Sequence, residues 1–72
     1  MRFFISMKLT VNGEAFETKR AGTVSELLDE LNMKPDRVAV ELNLSIVRKS
    51  DYSSFALHDG DRIEIVNFVG GG

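Results

Sequence analysis

One stretch of this chain repeats its apolar residues with the period of a helix: Val24, Leu27, Leu28 and Leu31 stand at i, i+3, i+4 and i+7 and form a single stripe. Just ahead of the stripe, Thr23-Val24-Ser25-Glu26 has the form of a capping box. Thr23 can accept from the backbone N–H of Glu26, whose carboxylate reaches back to the cap. Pro35 cannot continue the helix, so the pattern predicts about three turns ending near Asn32 or Met33. A helix of that length is marginal alone and must lay its stripe on a sheet.

The rest of the chain is patterned in twos. Lys8-Leu9-Thr10-Val11 alternates and runs into Asn12-Gly13, a hairpin signal because both positions tolerate positive φ. A second strand follows from Glu14 to Lys19. Beyond the helix, Arg37 to Leu42 alternates with Val38, Val40 and Leu42 inward, Asn43 begins a turn, and Ile46-Val47-Arg48 makes a short strand. Asp51 to Ser54 reads as a loop or single turn, anchored by Phe55 and Leu57 in the core. His58-Asp59-Gly60-Asp61 is a tight turn, and the last strand runs from Arg62 to Val69. The order of hairpin, helix and further strands makes the helix a crossover on one sheet face and returns the last strand beside the first, at the centre. The expected fold is therefore α+β, a β-grasp (ubiquitin-like) architecture. It has a mixed sheet of about four or five strands, one main helix packed on one face and a flexible C-terminal glycine tail. The expected organisation is a single domain over residues 1–72, with 1–6 as an N-terminal extension and 70–72 as the tail.

Composition limits how such a fold is held and what it can do. A chain of 72 residues buries only about 60% of the surface its unfolded form exposes. There is no cysteine, so disulfides and thiolate zinc sites are closed to it, and one histidine cannot build a metal site. The fold must rest on apolar packing, which the 43% hydrophobic content supplies. Nine Lys and Arg against eleven Asp and Glu leave no basic footprint for nucleic acid. No apolar run is long enough for a bilayer, and the three apolar residues of Phe3-Phe4-Ile5 fall short of the h-region of a signal peptide. These features predict a cytoplasmic protein with no membrane partner, monomeric when free. His58 has no nucleophile motif to serve and reads as a surface turn residue. Asp59 and Asp61 read as turn chemistry, and Asp29, Glu30, Lys34 and Asp36 as a solvated helix face. Phe3-Phe4 reads as a partner contact or as extra packing on an edge strand.

The end of the chain is the chemical feature. Gly70-Gly71-Gly72 follows an apolar strand directly, and without Cβ atoms it can lie in a channel too narrow for side chains. A terminal carboxylate is a poor electrophile, but ATP can convert it to an acyl adenylate, from which a sulfur nucleophile displaces AMP. The product is a thiocarboxylate, whose sulfur can be delivered to an acceptor. Three extended residues span at most about 10 Å, so an activating enzyme must approach the body of the domain, which calls for a docking surface at the root of the tail. Glu64, Val66 and Phe68 lie on the face of the last strand opposite Ile63 and Ile65, a face shared by Ala39 and Glu41 of the third strand, and Val69 follows them into the tail. Two readings stand: a solvent-facing patch for a partner, or residues that cap the core as the sheet twists.

From Met7 to Gly72 the chain resembles the sulfur carrier proteins of thiamine biosynthesis, the ThiS family. The resemblance is carried by Leu9-Thr10-Val11-Asn12-Gly13, Gly22-Thr23-Val24 with Leu27-Leu28, Val38-Ala39-Val40-Glu41-Leu42-Asn43, Ile46-Val47, Asp59-Gly60-Asp61 and the closing run from Ile63 to Gly72. It implies a protein cosubstrate, not an enzyme, that binds no cofactor or metal itself. Gly72 would be adenylated with ATP by a ubiquitin-activating-enzyme-like adenylyltransferase and thiocarboxylated from a sulfur donor such as a cysteine desulfurase. The sulfur would then pass to thiazole synthase. Val66, Phe68, Val69, Gly70 and Gly71 would meet the partners. Two features depart from the family's pattern. Leu44-Ser45 follow Asn43 where members often place a turn-forming glycine, and Met1 to Ser6 precede the usual start, either extending the first strand or lying ahead of an initiator at Met7. The same fold, tail and activation chemistry belong to the small subunit of molybdopterin synthase, the nearest alternative. A non-catalytic β-grasp interaction module is the other.

Overall fold

The computed structural model describes residues 6–68. Its elements are β1 (Met7–Val11), β2 (Glu14–Thr18), α1 (Val24–Glu30), a 3₁₀ turn at Pro35–Arg37, β3 (Val38–Leu42), β4 (Ser45–Val47), a second 3₁₀ turn at Lys49–Asp51, and β5 (Arg62–Asn67). One five-stranded sheet runs in the order β2-β1-β5-β3-β4. β5 sits at the centre, parallel to β1 and antiparallel to β3. This is the β-grasp arrangement the sequence predicts. Phe3 and Phe4, with both readings given for them above, and the expected glycine tail lie outside the described residues.

Local chemistry explains each joint. Asn12 and Gly13 take φ of 50° and 82° and leave Val11 opposite Glu14, a two-residue turn whose twist suits a hairpin. The capping box is present in full: Thr23 Oγ1 accepts from the Glu26 N–H at 3.2 Å, while Glu26 Oε1 accepts from the backbone N–H groups of Gly22 and Thr23 at 2.7 and 3.1 Å. The helix is seven residues long, shorter than the three turns expected. Asn32 stops it before Pro35 can act, with φ of 59°. Its N–H donates to Asp29 O at 3.0 Å and that of Met33 to Leu28 O at 2.8 Å, the paired bonds of a Schellman motif. Pro35 instead opens the first 3₁₀ turn.

The core lies between helix and sheet. Leu27 and Leu28 of α1 are fully buried in one cluster with Leu9, Val38, Val40, Leu42, Ile63 and Ile65, extended by Ala21, Val47, Tyr52 and Leu57. The Tyr52 hydroxyl donates to Val38 O at 3.3 Å, and among the described residues no buried side-chain polar atom lacks a partner. Phe55, expected in this core, is 40% exposed. Backbone bonds hold its loop: Val24 N–H donates to Phe55 O and Ser25 N–H to Tyr52 O, at 3.0 and 2.8 Å, satisfying the first amides of α1. Tyr52 and Leu57 are the side chains that this loop sends inward.

Candidate functional site

The alternation of β5 builds two faces. Ile63 and Ile65 point into the core at 0% and 6% exposure, whereas Glu64 and Val66 take the opposite, helix-free face. There Val66 lies directly across from Ala39, and Glu64 from Glu41. Val66 is 59% exposed and Phe68 52%, so neither serves as a cap on the core. The strand ends at Asn67, but the Phe68 N–H still donates to Arg37 O at 2.6 Å. The backbone is thus held by β3 up to Asn67 and by the 3₁₀ turn ahead of β3 at Phe68, while the aromatic ring meets solvent. Val69, Gly70, Gly71 and Gly72 lie outside the described residues. The four residues after Phe68 can span at most about 14 Å when extended.

The side chains that place β5 were legible in the sequence only as turn residues. Asn12 Nδ2 donates to Ile65 O at 3.1 Å and its Oδ1 accepts from the Ile65 N–H at 2.7 Å, so the carboxamide continues the β1–β5 ladder where β1 turns away. Asn43 Oδ1 accepts from the Arg62 N–H and its Nδ2 donates to Asp61 Oδ1, each at 2.9 Å. Asp61 Oδ2 accepts from the His58 N–H at 2.7 Å, and Asp59 Oδ1 covers the Lys8 N–H of β1 at 2.7 Å. Asparagines beside turn positions were the available signal, because a short carboxamide can imitate a peptide group.

These bonds also fix what the polar residues do. The Asp61 side chain has both oxygens occupied, and the His58 ring, whose side chain is 78% exposed, stands 4.0 Å away. They form a turn, not an acid–base pair. On the helix side a concave surface is lined by Arg20, Ala21, Glu26, Asp29 and Glu30. Glu26 is engaged in the capping box, and Glu30 Oε1 accepts from the Thr18 hydroxyl at 2.5 Å. Among the described residues no group of three or more His, Cys, Asp or Glu could hold a metal, and no helix is long and apolar enough to cross a membrane.

Comparison with known proteins places this geometry. The ThiS family model matches residues 9–72. The chain is 52% identical over 66 residues to the thiazole synthase of Paramagnetospirillum magneticum, a match that covers 92% of this chain but 20% of that protein. It thus spans one fifth of the length of that relative, and likewise of the thiazole synthase of Magnetococcus marinus, at 39% identity. It is also similar to the sulfur carrier protein ThiS of Bacillus subtilis, 42% identical over 65 residues that cover 89% of this chain and 98% of that one. The crystal structure of the thiamine biosynthesis protein ThiS from Geobacter metallireducens superposes with a TM-score of 0.77 at 36% identity, covering 92% of this chain and all of that one. A match that runs from β1 to the final glycine, with the same sheet and helix beneath it, means that the chain belongs to the ThiS family of sulfur carrier proteins.

Proposed function

We propose that this chain carries sulfur as a thiocarboxylate on Gly72 and delivers it to thiazole synthase in thiamine biosynthesis. The observation that carries the reading is that the family match continues through Gly72, beyond a strand whose last rung exposes Val66 and Phe68 at the root of the tail. In the first step the Gly72 carboxylate attacks the α-phosphorus of ATP in an adenylyltransferase of the ubiquitin-activating type, and pyrophosphate leaves. In the second step a sulfur nucleophile, supplied by a donor such as a cysteine desulfurase, attacks the adenylate carbonyl. A C–S bond replaces the C–O bond to AMP. Sulfide gives the thiocarboxylate directly, whereas a donor persulfide gives an acyl disulfide, from which a second thiol releases the thiocarboxylate by forming a disulfide with the donor's sulfur. The chain itself contributes positioning: a glycine path free of side chains, an apolar surface to dock, and a backbone hydrogen-bonded up to Phe68. Val66, Phe68, Val69, Gly70 and Gly71 form the binding segment. The matching segments inside proteins named thiazole synthase support that enzyme as acceptor. We place this work in the cytoplasm.

Incubation with ATP, the adenylyltransferase and a sulfur donor should raise the intact mass by the replacement of one oxygen by sulfur. Deleting Gly72 should abolish loading and leave the circular-dichroism spectrum and melting temperature unchanged. Loading of the shortened chain would refute the assignment of the reactive carbonyl. Rescue of a molybdenum-cofactor mutant, without rescue of a thiamine auxotroph, would move the chain to the other pathway.

A further inference from the structure

Glu41 of β3 and Glu64 of β5 are directly opposed in the antiparallel register, on the helix-free face. Side chains so paired have Cβ atoms about 4.5–5.5 Å apart, and like charges in that position repel. Among the described residues neither carboxylate has a cation within ion-pair distance, although Arg62 shares their face two residues before Glu64; the ion pairs present are Lys49–Asp36 and the His58–Asp61 contact. The two carboxylates are framed by apolar groups. Ile46, 79% exposed, stands across from Glu41 on β4. The Ala39–Val66 pair lies one side-chain row, about 7 Å, toward the tail, with Phe68 beyond it.

A partner whose contact runs along this face from Phe68 and Val66 to Ile46 also removes water from Glu41 and Glu64. Desolvating a repelling pair is unfavourable unless the incoming surface brings a compensating charge. We propose that thiazole synthase presents a basic side chain, of guanidinium geometry, between Glu41 and Glu64, and that this pair decides which surface the carrier accepts. The proposal rests on the docking reading above. The choice of the synthase over the adenylyltransferase follows from relatives that carry this segment and the synthase in one polypeptide. A guanidinium fits because its planar fork can meet two carboxylates at once. The pair then has opposite effects in the two states, repelling in the free carrier and bridged in the complex.

The test compares Glu41→Gln, Glu64→Gln and Phe68→Ser with the parent chain. Melting temperature is measured, together with affinity for thiazole synthase and for the adenylyltransferase from the same organism, at low and high salt. Each glutamine variant should melt about 1–8 °C higher and bind the synthase about tenfold more weakly, with a flatter salt dependence. Phe68→Ser should weaken binding and keep the parent's salt dependence. If the glutamine variants bind the synthase as well as the parent while Phe68→Ser does not, the cation is refuted and the docking face stands. If Phe68→Ser also binds normally, the docking reading itself fails. Loss confined to the adenylyltransferase would overturn the assignment to the synthase.

Discussion

Leu44→Gly should stabilise this protein, and the structure says by how much. Asn43 and Leu44 form the two-residue turn between β3 and β4, with Leu42 opposite Ser45 and φ of 50° and 73°. Asparagine tolerates the left-handed region, but leucine brings Cβ against its own carbonyl at about 1–2 kcal/mol. Glycine removes that contact but loses about 0.4–1 kcal/mol of the gain to the greater freedom of the unfolded chain. Burial changes the sum little, because Leu44 is 82% exposed and real unfolded chains cover side chains to a similar degree. The net gain is about 0.5–1 kcal/mol, or about 2–8 °C in melting temperature for a domain of this size. The neighbouring change has the opposite sign. Asn43→Gly keeps the turn but loses the bonds to Asp61 and Arg62 that tie the hairpin to β5. Thermal melting and urea titration of both variants give the answer. A Leu44→Gly chain that melts at or below the parent temperature would show that no strain is stored at this turn.

Asn12→Ala should cost about 2–4 kcal/mol in urea unfolding, because it strips both backbone groups of Ile65 of their partner and puts alanine at φ of 50°. Asn12→Gly, which keeps the backbone conformation, should recover about 1 kcal/mol of that. Thr23→Ala removes the hydroxyl that accepts the Glu26 N–H and should cost about 1 kcal/mol. Amide exchange should locate that loss in the first turn of α1, and a loss spread evenly over the sheet would argue against the cap.

The parts of the fold governed by period and by backbone stereochemistry were legible in the residues. The stripe from Val24 to Leu31, the Thr23–Glu26 box, the Asn12-Gly13 turn and the inward set Val38, Val40 and Leu42 all follow from contacts within a few positions. Phe55 was misplaced for a reason of the same kind. An aromatic residue two positions from Leu57 fits an inward alternation, but its loop is held by carbonyls that serve the start of α1, and backbone bonds leave no trace in side-chain pattern. The reach of Asn12 across to Ile65 and of Asn43 to Arg62 was hidden because partners 53 and 19 positions away depend on strand order, which local pattern does not contain. The outward placement of Val66 followed from alternation with Ile65. Its exposure did not, since that depends on whether anything covers the outer face.

The root of the tail also has a size that can be weighed against its task. Holding the four residues from Val69 to Gly72 in one extended path costs about 4–8 kcal/mol of backbone entropy. Val66 and Phe68, at 59% and 52% exposure, leave about half of each side chain to be covered, worth about 2–3 kcal/mol on removal from water. In the proposed complex the patch would thus offset only part of the cost of threading the glycines. If the proposed docking holds, the remaining binding energy would come from elsewhere on the same face, where Ile46 and the Glu41–Glu64 pair lie. The rung from Phe68 to Arg37 couples the two events. A partner that covers the ring also fixes the point from which a chain of about 14 Å must reach its catalytic centre. A carrier that depended on the glycines alone would have to order them with nothing to offset the loss.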